Sequence, residues 1–157
     1  METKEAKTTG ATTESNRAAG GRAKVIRDAE ELLAALDTAM DKLPKNLRYS
    51  GSHAALAKQY GASMYAKLNS MAYCTEDPRA RRSYCQAALG DFEALKLEKR
   101  LCFRRRGAVT GKDGAKSPDA YYIGKGAAAR IDELLGEVGR QLAGLKKSLD
   151  ARVAAAT

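Results

Sequence analysis

The 157-residue sequence contains no tryptophan, and aromatic residues make up only 6% of it. β-Branched and aromatic side chains favour strands, so their scarcity argues against a β-barrel or a β-sandwich. Alanine, leucine, lysine, arginine and glutamate dominate instead, a composition that is typical of helices. The chain has the length of one domain with a full hydrophobic core.

Histidine and cysteine are scarce as well. The single histidine, His53, and the three cysteines, Cys74, Cys85 and Cys102, are too few and too widely spaced for a Cys/His metal site. Three cysteines cannot pair completely, so we expect reduced, mostly buried thiols in a cytoplasmic protein. The sequence predicts no metal site and no cofactor.

Motifs for catalysis and for membrane insertion are missing. The sequence contains no nucleophile elbow, no GxxxxGK[ST] phosphate loop and no HExxH motif. The glycines of "YYIGKG" follow no predicted strand, which a dinucleotide site requires. No uncharged run is long enough to span a membrane, and "METKEAKTTG" lacks the apolar core of a signal peptide. We therefore expect neither an enzyme nor a membrane protein.

Apolar residues recur every three or four positions in four long segments, which predicts four amphipathic helices. The first three cover residues 22–43, about 52–74 and 78–106, and the fourth starts near Ser117 or only after Gly126. Short links join the first three helices. The predicted fold class is therefore all-α, an antiparallel, up-down four-helix bundle over residues 22–157. Residues 1–21 have no apolar period and are predicted to form a disordered N-terminal tail.

The sequence also predicts caps and buried faces within these helices. Asp77 is the expected N-cap of the third helix, with Pro78 at its first position. Leu97 and Leu101 are expected at one edge of that helix's buried face, with Phe103 near the boundary. On the fourth helix, steps of four and three predict knobs-into-holes packing by Ile131, Leu135, Val138, Leu142, Leu145 and Leu149.

Basic residues exceed acidic ones by 28 to 19, which gives a formal charge of +9. Such an excess favours an anionic partner, most often nucleic acid. Between residues 96 and 125 there are nine cations and three acids, a local charge of +6. A solvated helix face with cations near its C-terminus is the alternative explanation. Three consecutive arginines beside a single acid favour phosphate contact instead.

We therefore predict an RNA-binding surface whose phosphate contacts provide salt-dependent affinity without base specificity. Its candidate residues are Lys96, Lys99, Arg100, Arg104, Arg105 and Arg106 towards the end of the third helix, Arg79, Arg81 and Arg82 at its start, and Lys45 and Arg48 in the first loop. Two glycines inside the fourth helix, Gly139 and Gly144, each cost about 1 kcal/mol relative to alanine. Close approach of another helix or subunit is the explanation that we expect.

Residues 131–147, "IDELLGEVGRQLAGLKK", resemble the closing helix of a known family of small bundles. These are the accessory variability (Avd) proteins of diversity-generating retroelements, which are related to four-helix-bundle proteins encoded in intervening sequences of bacterial large-subunit ribosomal RNA. The family-like positions run from Glu137 to Gly144 and include Gly139, Arg140 and Leu142. The first loop is similar too, with an aliphatic-Pro-Lys segment followed by Arg48 and Tyr49. The resemblance covers about residues 24 to 150.

The resemblance implies an assembly and a function. Avd-like proteins form pentameric barrels with a strongly basic surface. They bind the retroelement's reverse transcriptase and its template RNA, and they support mutagenic cDNA synthesis without being enzymes. By this resemblance the present chain is expected to be a homo-oligomer, with five copies, that binds both partners and that also has the cDNA as a candidate ligand. We expect Gly139, Arg140, Leu142 and Gly144 to serve helix or subunit packing.

Two other functions remain open from the sequence. One is an interaction protein of the ribosomal RNA intervening-sequence type, without a retroelement. The other is a bundle enzyme that uses a bound cofactor, for which the sequence offers no evident holding residues.

Overall fold

The computed structural model describes residues 23–103, 109–110, 116–117 and 123–157. Within these residues the four α-helices are α1 (Lys24–Asp41), α2 (His53–Tyr73), α3 (Pro78–Phe103) and α4 (Lys125–Ala155), with a 3-10 turn at Lys45–Leu47. Two short strands, β1 (Val109–Thr110) and β2 (Lys116–Ser117), pair antiparallel within the connection from α3 to α4, with Val109 opposite Ser117. The predicted tail lies outside the described residues.

The four helices form the predicted antiparallel, up-down bundle. Each helix packs against the next, and α4 packs back against α1. Ion pairs across neighbouring helices follow the antiparallel register: Lys67 of α2 pairs with Asp91 of α3 at 2.5 Å, and Lys99 of α3 pairs with Asp132 of α4. The bundle therefore has two ends. The loop end holds the last turns of α1 and α3 and the first turns of α2 and α4. The groove end holds the first turns of α1 and α3 and the last turns of α2 and α4, and it is named for a groove between α1, α2 and α4.

All four helices contribute to one hydrophobic core. Leu32, Leu68, Leu95 and Leu142, one from each helix, have no exposed surface. Burying a leucine side chain contributes about 2 kcal/mol to folding, so these four residues together contribute about 8 kcal/mol. The predicted stripe on α4 is confirmed, since all six of its residues are buried except Leu145, which is partly buried against the core.

Side-chain caps set where two helices begin. Ser52 Oγ accepts a hydrogen bond from the Ala55 amide at 3.2 Å at the start of α2. Asp77 Oδ1 accepts from the amides of Arg79 and Ala80 at 3.0 and 3.1 Å, which confirms the predicted cap of α3. These carboxylate and hydroxyl oxygens satisfy amides that have no partner inside the helix.

The beginning of α4 differs from both sequence predictions. The helix starts at Lys125 with Gly124 in the N-cap position. Ser117, one predicted start, pairs in β2 instead. Gly126, the other landmark, lies within the first turn of the helix.

The predicted buried face of α3 was wrong at its edge. Leu97 and Leu101 are exposed by 47% and 38%, whereas Phe103 has no exposed surface. Successive helical residues are about 100° apart, so Leu101 and Phe103 point about 200° apart and cannot both face the core. The aromatic ring fills the core, and the two leucines form an apolar pair on the outer face. The predicted helix end at Arg106 lies outside the described residues.

Candidate nucleic-acid interface

The bundle topology divides the predicted basic residues between its two ends. The turn that carries Lys45 and Arg48 joins α1 to α2 at the loop end, where α3 also ends. Arg79, Arg81 and Arg82 lie in the first turns of α3, at the groove end. A helix of 26 residues spans about 39 Å. The candidates therefore do not form one continuous surface.

The first-loop cations lie exposed at the loop end. Lys45 opens the 3-10 turn, and Arg48 ends it. The Arg48 guanidinium donates to the Asp41 carbonyl oxygen at 3.2 Å, which satisfies a carbonyl at the end of α1. This contact holds the guanidinium beside the helix end. Because a carbonyl oxygen is neutral, the charge of Arg48 has no counter-ion among the described residues.

Three of the candidate basic residues lie in the described part of α3 towards its end, and they have different surroundings. Lys96 pairs with Glu93 at 3.1 Å and lies 5.4 Å from the centre of the Phe92 ring. Lys99 is only 12% exposed at its side chain and forms an ion pair with Asp132 of α4. Arg100 is exposed, and no carboxylate of the described residues lies within ion-pair distance of it.

These contacts give the three residues different roles. Lys99 joins two helices, and its charge is balanced there. Arg100 is the one of the three that has no counter-ion among the described residues. Arg104, Arg105 and Arg106 follow in the sequence and lie outside the described residues.

At the groove end, the cations that open α3 also separate into paired and unpaired members. The Arg82 Nε lies 2.8 Å from Asp150 Oδ1 of α4, an ion pair by distance whose N–H does not align for a hydrogen bond. The Lys146 ammonium donates to the same carboxylate and holds the pKa of Asp150 below its usual value. Arg82 therefore belongs to a helix-joining cluster, whereas Arg79 is exposed.

The two glycines of α4 have opposite surroundings. A Cβ at Gly139 would lie 3.0 Å from Phe92 Cζ, so the missing side chain lets α3 and α4 approach closely. A Cβ at Gly144 would meet no atom within 4 Å. Helix packing within the chain therefore explains Gly139 but not Gly144.

The two other residues of the family-like motif also differ. Leu142 is fully buried in the core. Arg140 is exposed and pairs with Glu137 one turn earlier. Leu142 thus serves helix packing, while Arg140 forms an ion pair within its own helix, on the surface.

The described residues contain no group of three His, Cys, Asp or Glu side chains placed to hold a metal ion. His53 Nδ1 lies 2.6 Å from Glu98 Oε2, a contact that joins the start of α2 to α3. Burial raises the pKa of the Cys85 thiol and raises that of Cys102 to about 12. Such thiols stay protonated near neutral pH and are poor nucleophiles. That the protein is not an enzyme remains a prediction.

Two features of the surface were not predicted from the sequence. One is the outer face of α3, where Leu97 and Leu101 are exposed one turn apart. The other is a groove with a volume of about 910 Å³ between the ends of α1, α2 and α4. None of the described helices combines the length and apolar character required to cross a bilayer.

No family model matches this chain, and no curated protein or solved structure was found to match it. The resemblance to Avd-like proteins therefore rests on the sequence motifs quoted above.

Proposed function

We propose that the protein is a non-catalytic, RNA-binding accessory protein of a diversity-generating retroelement. In this role an oligomeric scaffold, a pentamer by the resemblance, binds the reverse transcriptase and its structured template RNA and enables mutagenic cDNA synthesis. The motif around Gly139 and Arg140 supplies the hypothesis, and the four-helix bundle is the fold that it requires.

The surplus of positive charge at the loop end is the observation that carries the proposal. Lys45, Arg48 and Arg100 are exposed there, and no described carboxylate lies within ion-pair distance of them. Two nearby acids are already engaged, since Glu98 contacts His53 and Asp132 pairs with Lys99. The exposed cations are therefore available to an external polyanion, and phosphate is the partner that guanidinium groups bind bidentately.

An exposed apolar stripe supports the oligomeric part of the proposal. Ala87, Gly90, Ala94, Leu97 and Leu101 follow one another at steps of three and four on the outer face of α3. Leucines beside small residues allow close helix approach, and an apolar patch on a surface marks a contact site. This stripe is the subunit contact that we propose.

Salt-dependent RNA binding tests the basic residues predicted at the end of the third helix, Arg100 and the three arginines that follow it in the sequence. We expect the quadruple variant Arg100→Gln, Arg104→Gln, Arg105→Gln and Arg106→Gln to weaken binding of a labelled structured RNA, measured by fluorescence anisotropy. The slope of log K against log salt should become shallower by about 0.7 to 0.9 for each phosphate that the variant no longer neutralises. The matched control removes four exposed cations of the groove end, with glutamine replacing Arg27, Arg79, Lys147 and Arg152. An unchanged slope in the quadruple variant would exclude a role of these four arginines in RNA binding.

Assembly and partner binding are tested together by co-expression with the reverse transcriptase that this proposal expects to be encoded near the gene. We expect the complex to co-purify with RNA and to contain five copies of this chain by native mass spectrometry. The variant Leu97→Glu with Leu101→Glu should dissociate the oligomer while keeping its helical circular dichroism. RNA binding and assembly without any polymerase contact would instead favour the interaction protein of the ribosomal RNA intervening-sequence type.

A further inference from the structure

The groove at the groove end arises because α1 is much shorter than α4. α1 has 18 residues and α4 has 31. The first turn of α1 lies beside the middle of α4, where Lys24 Nζ is 3.7 Å from Glu137 Oε2 and Gln141 donates to Asp28. The last turns of α4 therefore extend beyond α1. The space that the described residues leave open there, about 910 Å³, is within the size range of small-molecule sites.

The floor of this groove is apolar. Val25 and Ile26 of α1, Met71 of α2 and Leu145 and Leu149 of α4 line it. Leu145 is only partly buried, and Gly144 beside it leaves open space. An apolar chain placed here would therefore be removed from water over much of its length, which favours its binding.

The rim of the groove is basic. Four cations line it, Lys24, Arg27, Arg81 and Arg152, and none of its described lining residues is acidic. Lys24 is balanced by hydrogen bonding to Asp28 and by its proximity to Glu137. Three guanidinium groups remain, and they make the groove suited to an anionic group of a ligand.

Two buried polar atoms at the groove have no hydrogen-bond partner among the described residues, Arg81 Nε and Gln141 Oε1. Because Gln141 Nε2 donates to Asp28, the amide orientation leaves its carbonyl oxygen as a free acceptor. Leaving a buried donor or acceptor unpaired carries a free-energy cost, because the group loses its hydrogen bonds to water and gains none in return. A ligand that offers an anionic acceptor to Arg81 and a donor to Gln141 would remove both costs.

We propose that this groove binds an amphipathic anion that carries an N–H donor next to its carboxylate, the chemistry of an N-acyl amino acid. The carboxylate pairs with Arg81 and Arg152, the amide N–H donates to Gln141, and the acyl chain lies along Leu145. Residues 1–22 of the chain are a poor occupant, because Met1 is their only large apolar residue. The site lies at the opposite end from the RNA surface and does not depend on that function.

Binding of N-decanoylglycine to the full-length protein, below its micelle concentration, tests the proposal by isothermal titration calorimetry. We expect one molecule for each chain. N-decanoylsarcosine, which lacks the N–H, should bind about fivefold more weakly, and the neutral N-decanoylglycine amide about tenfold more weakly. Absence of binding, or equal affinity for all three compounds, overturns the proposal. Displacement of the probe by RNA would assign the groove to RNA and also overturn it.

Blocking variants locate the binding. Gly144→Leu should fill the groove and abolish binding, whereas the matched Gly126→Leu at the other end of α4 should leave it unchanged, since both positions have open space for a side chain. Ser148→Phe is a second blocking variant from the groove lining. Arg81→Gln should weaken N-decanoylglycine about tenfold and leave its neutral amide unaffected. Circular dichroism checks that each variant is folded. Unchanged binding in both blocking variants would place the probe elsewhere and refute the site.

Discussion

The loop end and the groove end of the bundle are both rich in cations, but different surfaces surround those cations. At the loop end, Lys45, Arg48 and Arg100 project from helix ends and turns into solvent. At the groove end, Arg81 and Arg152 border an apolar groove. Charge alone predicts an anion at each end. The surface beside the cations distinguishes the two kinds of ligand. Cations surrounded by solvent suit a polyanion that is contacted through its phosphate groups, whereas cations beside an apolar groove suit an amphipathic anion whose apolar chain can be buried.

The largest expected effect is on the free energy of unfolding, and it differs between the packed middle of α4 and the part of α4 that extends beyond α1. Gly139→Leu places a side chain against Phe92, whose ring already lies 3.0 Å from the position of a Cβ. We expect it to lower the free energy of unfolding by about 3 kcal/mol. Gly144→Leu meets open space and should raise it by about 0.8 kcal/mol, because leucine favours helices more than glycine does. Urea denaturation of both variants measures the difference, and equal losses would show that Gly144 is packed in solution.

The next largest effect is expected from removing three cations at one end or at the other. Replacing Lys45, Arg48 and Arg100 by glutamine should weaken RNA binding about 30-fold at a fixed, moderate salt concentration. Replacing Arg79, Arg81 and Arg152 by glutamine at the groove end should weaken it by less than about threefold. Both triple variants remove the same charge, so long-range attraction falls equally in each. Equal losses of affinity would therefore remove the distinction between the two ends.

Adjacent residues of α3 provide a finer comparison within the loop end. Lys99→Met breaks the pair with Asp132 and should lower stability by about 1 kcal/mol, while RNA affinity changes by less than about twofold. Arg100→Met should leave stability nearly unchanged and weaken RNA binding about threefold. Thermal denaturation and fluorescence anisotropy of the two single variants give both readouts. The reverse pattern would make Lys99 the RNA-binding residue and Arg100 the structural one.

Most of the fold could be predicted from the sequence because its signals are local. The apolar stripe of α4 and the cap at Asp77 depend on residues within a few turns of each other. Leu97 and Leu101 were misplaced because apolar spacing shows that residues share a face, but not whether another helix covers that face. On α3 the outer face is apolar as well as the inner one.

The candidate site was less predictable, because it depends on partners that are distant in the sequence. Lys99 and Arg100 are adjacent cations, and only the position of Asp132 on α4 shows that one of them is balanced. The groove likewise results from the unequal lengths of α1 and α4 together with their register. Neither relation can be read from the periodicity of a single helix.

Labelling of the cysteines compares the two ends with the smallest perturbation, because it requires no substitution. Cys74 follows α2 at the groove end and is partly exposed, whereas Cys85 and Cys102 are buried. Burial raises the pKa of Cys102 from 9.0 to about 12, so in the folded protein its reactive thiolate is scarce at pH 8. The stability from this raised pKa is fully present below about pH 9 and is lost as the pH rises towards 12.

We therefore expect one thiol, Cys74, to react with Ellman's reagent in the folded protein at pH 8. The other two, Cys85 and Cys102, should react at least about 100-fold more slowly, through opening of the bundle. Peptide mapping after alkylation identifies the labelled residue, and denaturation in urea should make all three thiols react at similar rates. Rapid labelling of Cys102 in the native protein would show that the core beneath the loop end opens readily. The loop end would then be the more mobile of the two ends, and its cations would bind RNA from a changing arrangement of helix ends.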